Sequence, residues 1–259
     1  MIVALSCVLF LAPRIVWVVV CASCAAIAAH EWARLSNLFG WTRWIFIFSI
    51  SLTILAWALL QVPPILGSAL FLLSSVFWIV LVPYWLWRIA TPKNMGFSLM
   101  AGFVVIGSAS IALLVLRDAD PWLLISLMSV VWISDSMGYF VGRILGRNKL
   151  APHISPGKTW EGVAGALISV LLYAYLLGTY SVGLLPSNFT GGWSEISQLC
   201  FLMVLLAVLG IYGDLFESHL KRRAGVKDSG KILPGHGGAL DRIDALLPVL
   251  PLAAWIFVP

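Results

Sequence analysis

The chain has 259 residues, 61% of them hydrophobic and only 10% charged, with a mean hydropathy of +1.00. This composition excludes an ordinary soluble enzyme, because apolar runs near or above the ~18–20 residues that span a bilayer recur along nearly the whole sequence. The net charge of +5 comes with no nucleic-acid recognition fold, so anionic lipid or a soluble anion is the expected partner and nucleic acid is not.

In chain order, residues 2–12 form a short apolar run cut by Pro13-Arg14. No basic residue precedes it, so a clipped first helix or a misplaced start is expected rather than a signal peptide. Spans follow at 15–33, 44–60, 65–90, 97–116, 121–143, 160–182, 196–216 and 245–258. The expected fold is an all-α polytopic integral membrane protein with eight or nine transmembrane helices. It forms one membrane domain, with helices of low motif content up to residue 120 and the functional loops in 121–259. Cys21-x-x-Cys24 lies within a span and reads as small-residue packing, with no disulfide or zinc spacing. Trp41, Trp44, Trp85, Trp87 and Trp193 fall near helix ends, as in an aromatic belt.

Basic residues collect in alternate loops: Arg34 and Arg43; Arg88 and Lys93; Arg143, Arg147, Lys149 and Lys158; and Lys221, Arg222, Arg223, Lys227, Lys231 and Arg242. The positive-inside rule places all four loops in the cytoplasm and the C-terminus outside.

Carboxylates are more informative, since that rule gives them no reason to be there. Five of the eleven acidic residues, Asp214, Glu217, Asp228, Asp241 and Asp244, fall between 214 and 244. A helix running on to Ala224 and stopping at Gly225 would put Asp214, Ser218, Lys221 and Arg222 on one face. Asp241 and Asp244 share a face at the start of the last helix, with Pro248 one turn on to bend it. Asp214 ends a long apolar run and would be costly there without a partner. Three carboxylates at one membrane depth suit a hard cation such as Mg²⁺; pairing with nearby arginines is the alternative.

Between these helix ends, Pro234-Gly-His-Gly-Gly238 has the glycines of an anion-binding backbone nest, or of a flexible turn; the flanking Lys227, Lys231 and Arg242 favour the anion. In the third basic loop, Gly157-Lys158-Thr159 is not a P-loop, because Pro152 stands where its first glycine belongs. Pro156 near a first helical turn, with Ser155 as cap and Lys158 beside it, would still make a phosphate site. Asp135 lies inside an apolar helix in line with Tyr139 and Arg143, facing the same polar cavity either as a metal ligand or behind the ligands. Ser134, Gly138, Gly142 and Gly146 form a small-residue packing stripe on that helix. His30-Glu31 lacks the second histidine of a zinc protease.

The stretch SHLKRRAGVKDSGKILPGHGGALDRID, Ser218 to Asp244, resembles the signature of the phosphatidate cytidylyltransferases, S-x-x-K-R-x4-K-D-x-G-x3-P-x-H-G-G-x2-D-R-x-D, with every fixed position filled. Trp132 to Gly162 resembles the family's second region. The resemblance implies that CTP and phosphatidate give CDP-diacylglycerol and pyrophosphate at the cytoplasmic face, in phospholipid biosynthesis, in a bacterial inner membrane. It also implies Mg²⁺, with a monovalent cation such as K⁺ as an option, and a homodimer. On this reading Asp214, Asp241 and Asp244 hold the metal, and Lys221, Arg222, Lys227 and Arg242 neutralise phosphates. Gly235, His236, Gly237 and Gly238 cradle the triphosphate, Ser155 and Lys158 hold a phosphate from the other loop, and Ser218 and Asp228 line the same substrate site. The alternatives are a CTP-dependent polyprenol or lipid kinase and an ion-coupled anion transporter.

Overall fold

A computed structural model describes residues 8–60, 62–89, 94–180, 192–230 and 237–258. Seven helices among these are long and apolar enough to cross a bilayer: α1 (Arg14–Leu35), α2 (Gly40–Leu59), α3 (Pro64–Arg88), α4 (Met95–Ala119), α5 (Pro121–Leu145), α6 (Trp160–Tyr180) and α7 (Trp193–Arg223). They match seven of the expected spans. The eighth, at 245–258, is the shorter helix α9 (Leu246–Phe257), preceded by one turn of helix, α8 (Leu240–Ile243). Its 12 residues rise only about 18 Å, less than the ~30 Å hydrocarbon core. Of 2–12, residues 8–11 are helical and 1–7 lie outside the described residues. The protein is thus an all-α polytopic membrane protein.

The sequence explains the irregularities that matter. Pro83 cannot donate to Ile79, and the wide π-turn Phe77–Leu81 sits where that ladder is interrupted. Pro248 likewise cannot donate to Asp244, and the chain breaks between α8 and α9 at that carbonyl, as the bend expected from Pro248 requires. On α5, the small-residue stripe packs against α6: a Cβ on Gly162 would stand 2.7 Å from Gly138 O and 3.3 Å from Gly142 Cα. Apolar side chains such as Ile144, Ile168 and Phe201 are exposed on the outer surface, as lipid contact demands.

Two expectations change. Ser155 does not cap a helix, because Ser155–Thr159 forms strand β2, paired antiparallel with β1 (Lys149–Ala151) in a two-stranded ribbon. The Trp160 amide donates to Asn148 O, and the Glu161 carboxylate accepts from the amides of Arg147 and Asn148, which draws the segment before α6 back along the chain. Thr159 takes the capping role, its Oγ1 accepting from Gly162 N at 3.1 Å. The second change concerns Trp85, which is buried against Phe77, Phe97 and Phe216; Trp41, Trp87 and Trp193 are exposed, as a belt requires.

The basic loops gather at one end of the bundle. Arg34 at the end of α1 donates to the carbonyls of Asp228 and Ser229, and Lys158 reaches Asp214 at 2.7 Å. Trp32 Nε1 donates to Ser98 O near the start of α4. The Arg14–Asp118 pair, 2.9 Å apart, joins the other ends of α1 and α4.

Candidate active site

Helix α7 is unbroken through Arg223, so Asp214, Ser218, Lys221 and Arg222 form the stripe read from the sequence. It ends as expected at Gly225, whose φ of +71° suits glycine. Val226 N then donates to Lys221 O and Gly225 N to Arg222 O, closing the last carbonyls in a Schellman motif.

Asp214 Oδ2 lies 2.7 Å from Lys158 Nζ, and its Oδ1 accepts from Ser218 Oγ at 3.2 Å. Arg222 Nε donates to Ile154 O in the ribbon. These contacts tie the third and fourth basic loops together. Asp214 comes close to Asp244 because its neighbour is Gly213. A Cβ there would collide with Asp244 O and stand 3.0 Å from Pro248 Cγ and Cδ. Burial and the nearby Asp214 charge push the Asp244 carboxyl up, against the lowering effect of Ala245 N.

Asp241 Oδ1 accepts from Lys221 Nζ at 2.5 Å, and its Oδ2 accepts from Ser229 N at 3.0 Å and Gly238 N at 2.8 Å. Burial pushes this carboxyl up, but the Lys221 ammonium and the two amides outweigh it and hold it at about 2. Lys221 also binds Glu217 at 2.6 Å. Gly237 has a φ of +83°, a conformation that glycine adopts without strain, and a Cβ on it would stand 3.0 Å from Asp241 Oδ2. Lys231, Gly235 and His236 lie outside the described residues.

A cavity of about 700 Å³ opens among these groups. Asp135, Asp214, Asp241 and Asp244 line it together with Ser155, Lys158, Lys149 and Arg143. The structure therefore brings together the two loops singled out by their charge. Lys227 and Asp228 are placed apart, lining a second depression of about 480 Å³ with Arg34. Arg242 is exposed on α8.

The three carboxylates expected to share a metal do not stand as one cluster. Asp214 is paired with Lys158 and Asp241 with Lys221, each carboxylate having found its nearest ammonium. Among the described residues no three His, Cys, Asp or Glu side chains are grouped to hold an ion.

Three glutamates went unread as site residues. Glu31 is only 1% exposed and accepts from Ser229 Oγ at 2.9 Å, Ala239 N at 3.1 Å and Leu240 N at 2.8 Å. Glu217 is buried beside Lys221, and Glu161 orders the turn before the ribbon. The available signal was an acid near the end of an apolar helix, the same argument that picked out Asp214.

A family model described as "Cytidylyltransferase family" matches residues 1–258. The chain is 42% identical over 142 residues to a phosphatidate cytidylyltransferase of Haemophilus influenzae, a match covering 53% of this chain and 48% of that protein. It is 35% identical over 234 residues to one from Brucella abortus, covering 86% of this chain and 77% of the relative. With one from Pseudomonas aeruginosa it shares 34% identity over 252 residues, covering 88% and 83% respectively.

Proposed function

Because the chain belongs to the cytidylyltransferase family, we propose that it is a nucleotidyltransferase that makes CDP-diacylglycerol from CTP and phosphatidate, releasing pyrophosphate. The observation that carries this reading is the 700 Å³ cavity at the basic end of a membrane bundle, lined by four aspartates together with Lys149, Lys158 and Arg143. A phosphate oxygen of phosphatidate attacks the α-phosphorus of CTP, a new P–O–P linkage forms, and the bond to the β-phosphate breaks. Both reactants are polyanions, so bringing them together depends on positioning and charge more than on a covalent nucleophile.

Lys158, Lys149 and Arg143, which all line the cavity, are placed to receive phosphate oxygens. A phosphate bound by Lys158 would loosen its bond to Asp214 and leave that carboxylate facing the cavity. Lys221 holds Asp241, and Asp241 in turn holds the amides of Ser229 and Gly238, so this pair shapes the loop that ends in Gly237 and Gly238. Asp214 and Asp244 offer oxygen donors only and their charges oppose each other, and a hard cation such as Mg²⁺ takes one or two carboxylates together with substrate phosphates, so no three-carboxylate cluster is needed. Mg²⁺ bound there would polarise the α-phosphate and screen the two substrates from each other. The positive charge of these loops supports a cytoplasmic orientation for this face.

The test is label position. With phosphatidate and Mg²⁺ present, α-labelled CTP should enter the lipid fraction, γ-labelled CTP should not, and omitting either component should abolish incorporation. Lipid labelled from the γ position would assign a kinase instead. Vesicle uptake of an anion with no CTP-dependent product would assign a transporter.

A further inference from the structure

We infer that Glu31, on the first membrane helix, is a positioning residue for the nucleotide site. It acts by clamping the two strands of the loop that carries Gly237, Gly238 and Asp241. The inference rests on the proposed function for what the loop binds, but the clamp itself is a matter of geometry.

Glu31 lies in an apolar helix with almost no solvent exposure, where a carboxylate is costly unless hydrogen-bonded. Its three donors all come from the loop between α7 and α9, some two hundred positions away in sequence: Ser229 Oγ, Ala239 N and Leu240 N. Ser229 is shared, its hydroxyl going to Glu31 and its amide to Asp241. The three consecutive amides of Gly238, Ala239 and Leu240 are divided in the same way, the first to Asp241 and the next two to Glu31. One carboxylate from α1 and one from α8 thus close the loop's two strands from opposite sides. Arg34, one turn beyond Glu31, adds bonds to the carbonyls of Asp228 and Ser229.

The glycines in these strands are explained by the clamp. A Cβ on Gly230 would collide with the Glu31 carboxylate and lie 3.1 Å from Gly238 Cα. A Cβ on Gly238 would stand 2.5 Å from both Glu31 Oε2 and Gly230 N. The strands meet backbone to backbone because the carboxylate fills the space beside them. Shifting Glu31 therefore shifts Gly238, and with it the amide that holds Asp241 at the cavity wall.

Glu31→Gln keeps the shape but turns one acceptor into an NH₂ group aimed at N–H donors. The variant should remain folded in membranes, with kcat/KM for CTP reduced on the order of tenfold or more while the KM for phosphatidate changes little. Amide hydrogen exchange at Ala239 and Leu240 should rise. Ser229→Ala should give a smaller loss alone and little further loss in the Glu31→Gln background, because both remove the same contact. If Glu31→Gln does not accumulate, Ser229→Ala alone decides by the same CTP readout. Wild-type CTP kinetics per folded molecule, with only a lower unfolding temperature, would overturn the inference by making Glu31 purely structural. A wild-type protein that incorporates no CTP would sink the proposed function instead. The exchange measurement would still report on the clamp.

Discussion

Replacing Gly213 with alanine tests how Asp214 and Asp244 are brought together. The added methyl would collide with Asp244 O and stand 3.0 Å from two atoms of Pro248. Neither neighbour can rotate away, since one is a backbone carbonyl and the other a proline ring. Relief requires α9 and the Asp244 turn to move off α7 by roughly 1 Å, a displacement that costs about a hundredfold when it falls on reacting groups. Overpacking of this kind costs about 1–3 kcal/mol of stability. Gly210, one turn earlier on α7, supplies the control. A Cβ there meets Ala245 Cβ and O at 3.6 Å and Val249 Cγ2 at 3.8 Å, ordinary contact distances. Gly210→Ala should be neutral or stabilise by up to about 1 kcal/mol through helix propensity. The assay is CTP incorporation per folded enzyme, with thermal unfolding in detergent for both variants. Gly213→Ala should lose most turnover and Gly210→Ala almost none. Equal activity in the two variants would refute the argument that this close approach positions the carboxylates.

Removing the shared cation should be worse for folding. Lys221→Met leaves Glu217 and Asp241 buried near each other without an ammonium, a loss of about 3–5 kcal/mol. Adding Glu217→Gln should recover part of it in thermal unfolding, and a Lys221→Met protein as stable as wild type would contradict the pairing. The pH dependence of Asp241 follows from its lowered carboxyl. The folded state favours the charged form, so the stabilisation is complete above the unfolded value of ~3.9 and is lost as pH falls through about 2. The stability gap between wild type and Asp241→Asn should accordingly be constant near neutrality and shrink below pH ~4. A gap that instead closed between pH 6 and 8 would mean another group is responsible.

Spans were legible because a bilayer demands a length and a polarity that few other environments impose, and seven long helices fall where the hydropathy put them. The stop at Gly225 and the break at Pro248 were legible because glycine and proline act through the local backbone. The ribbon Lys149–Thr159 was not, since its formation depends on Glu161 folding back onto the Arg147 and Asn148 amides, a contact that neither β-propensity nor helix period reports. Within the site, convergence of the two charged loops was predictable from residue type, but the partner of each carboxylate was not. Asp214 finds Lys158 and Asp241 finds Lys221 because of how α5, α6 and α7 pack, and their register is set by glycines in contact rather than by charge.

The acids within apolar helices show why a motif search alone underestimates the working surface of such a protein. Glu31, Asp135, Asp214 and Glu217 all stand in apolar helices, where only a partner makes an ionisable group tolerable. Glu31 binds the loop before α9, Asp214 binds Lys158 of the ribbon, and Glu217 binds the lysine that holds Asp241. Asp135 faces the same cavity from α5. Each acid thus contributes at the basic end of the bundle, and together they connect segments more than two hundred residues apart. The amino-terminal helices carry little motif, yet α1 contributes both Glu31 and Arg34 to the hold on the signature loop. A fragment beginning at residue 121 would keep every fixed position of the resemblance and lose the carboxylate that closes its loop.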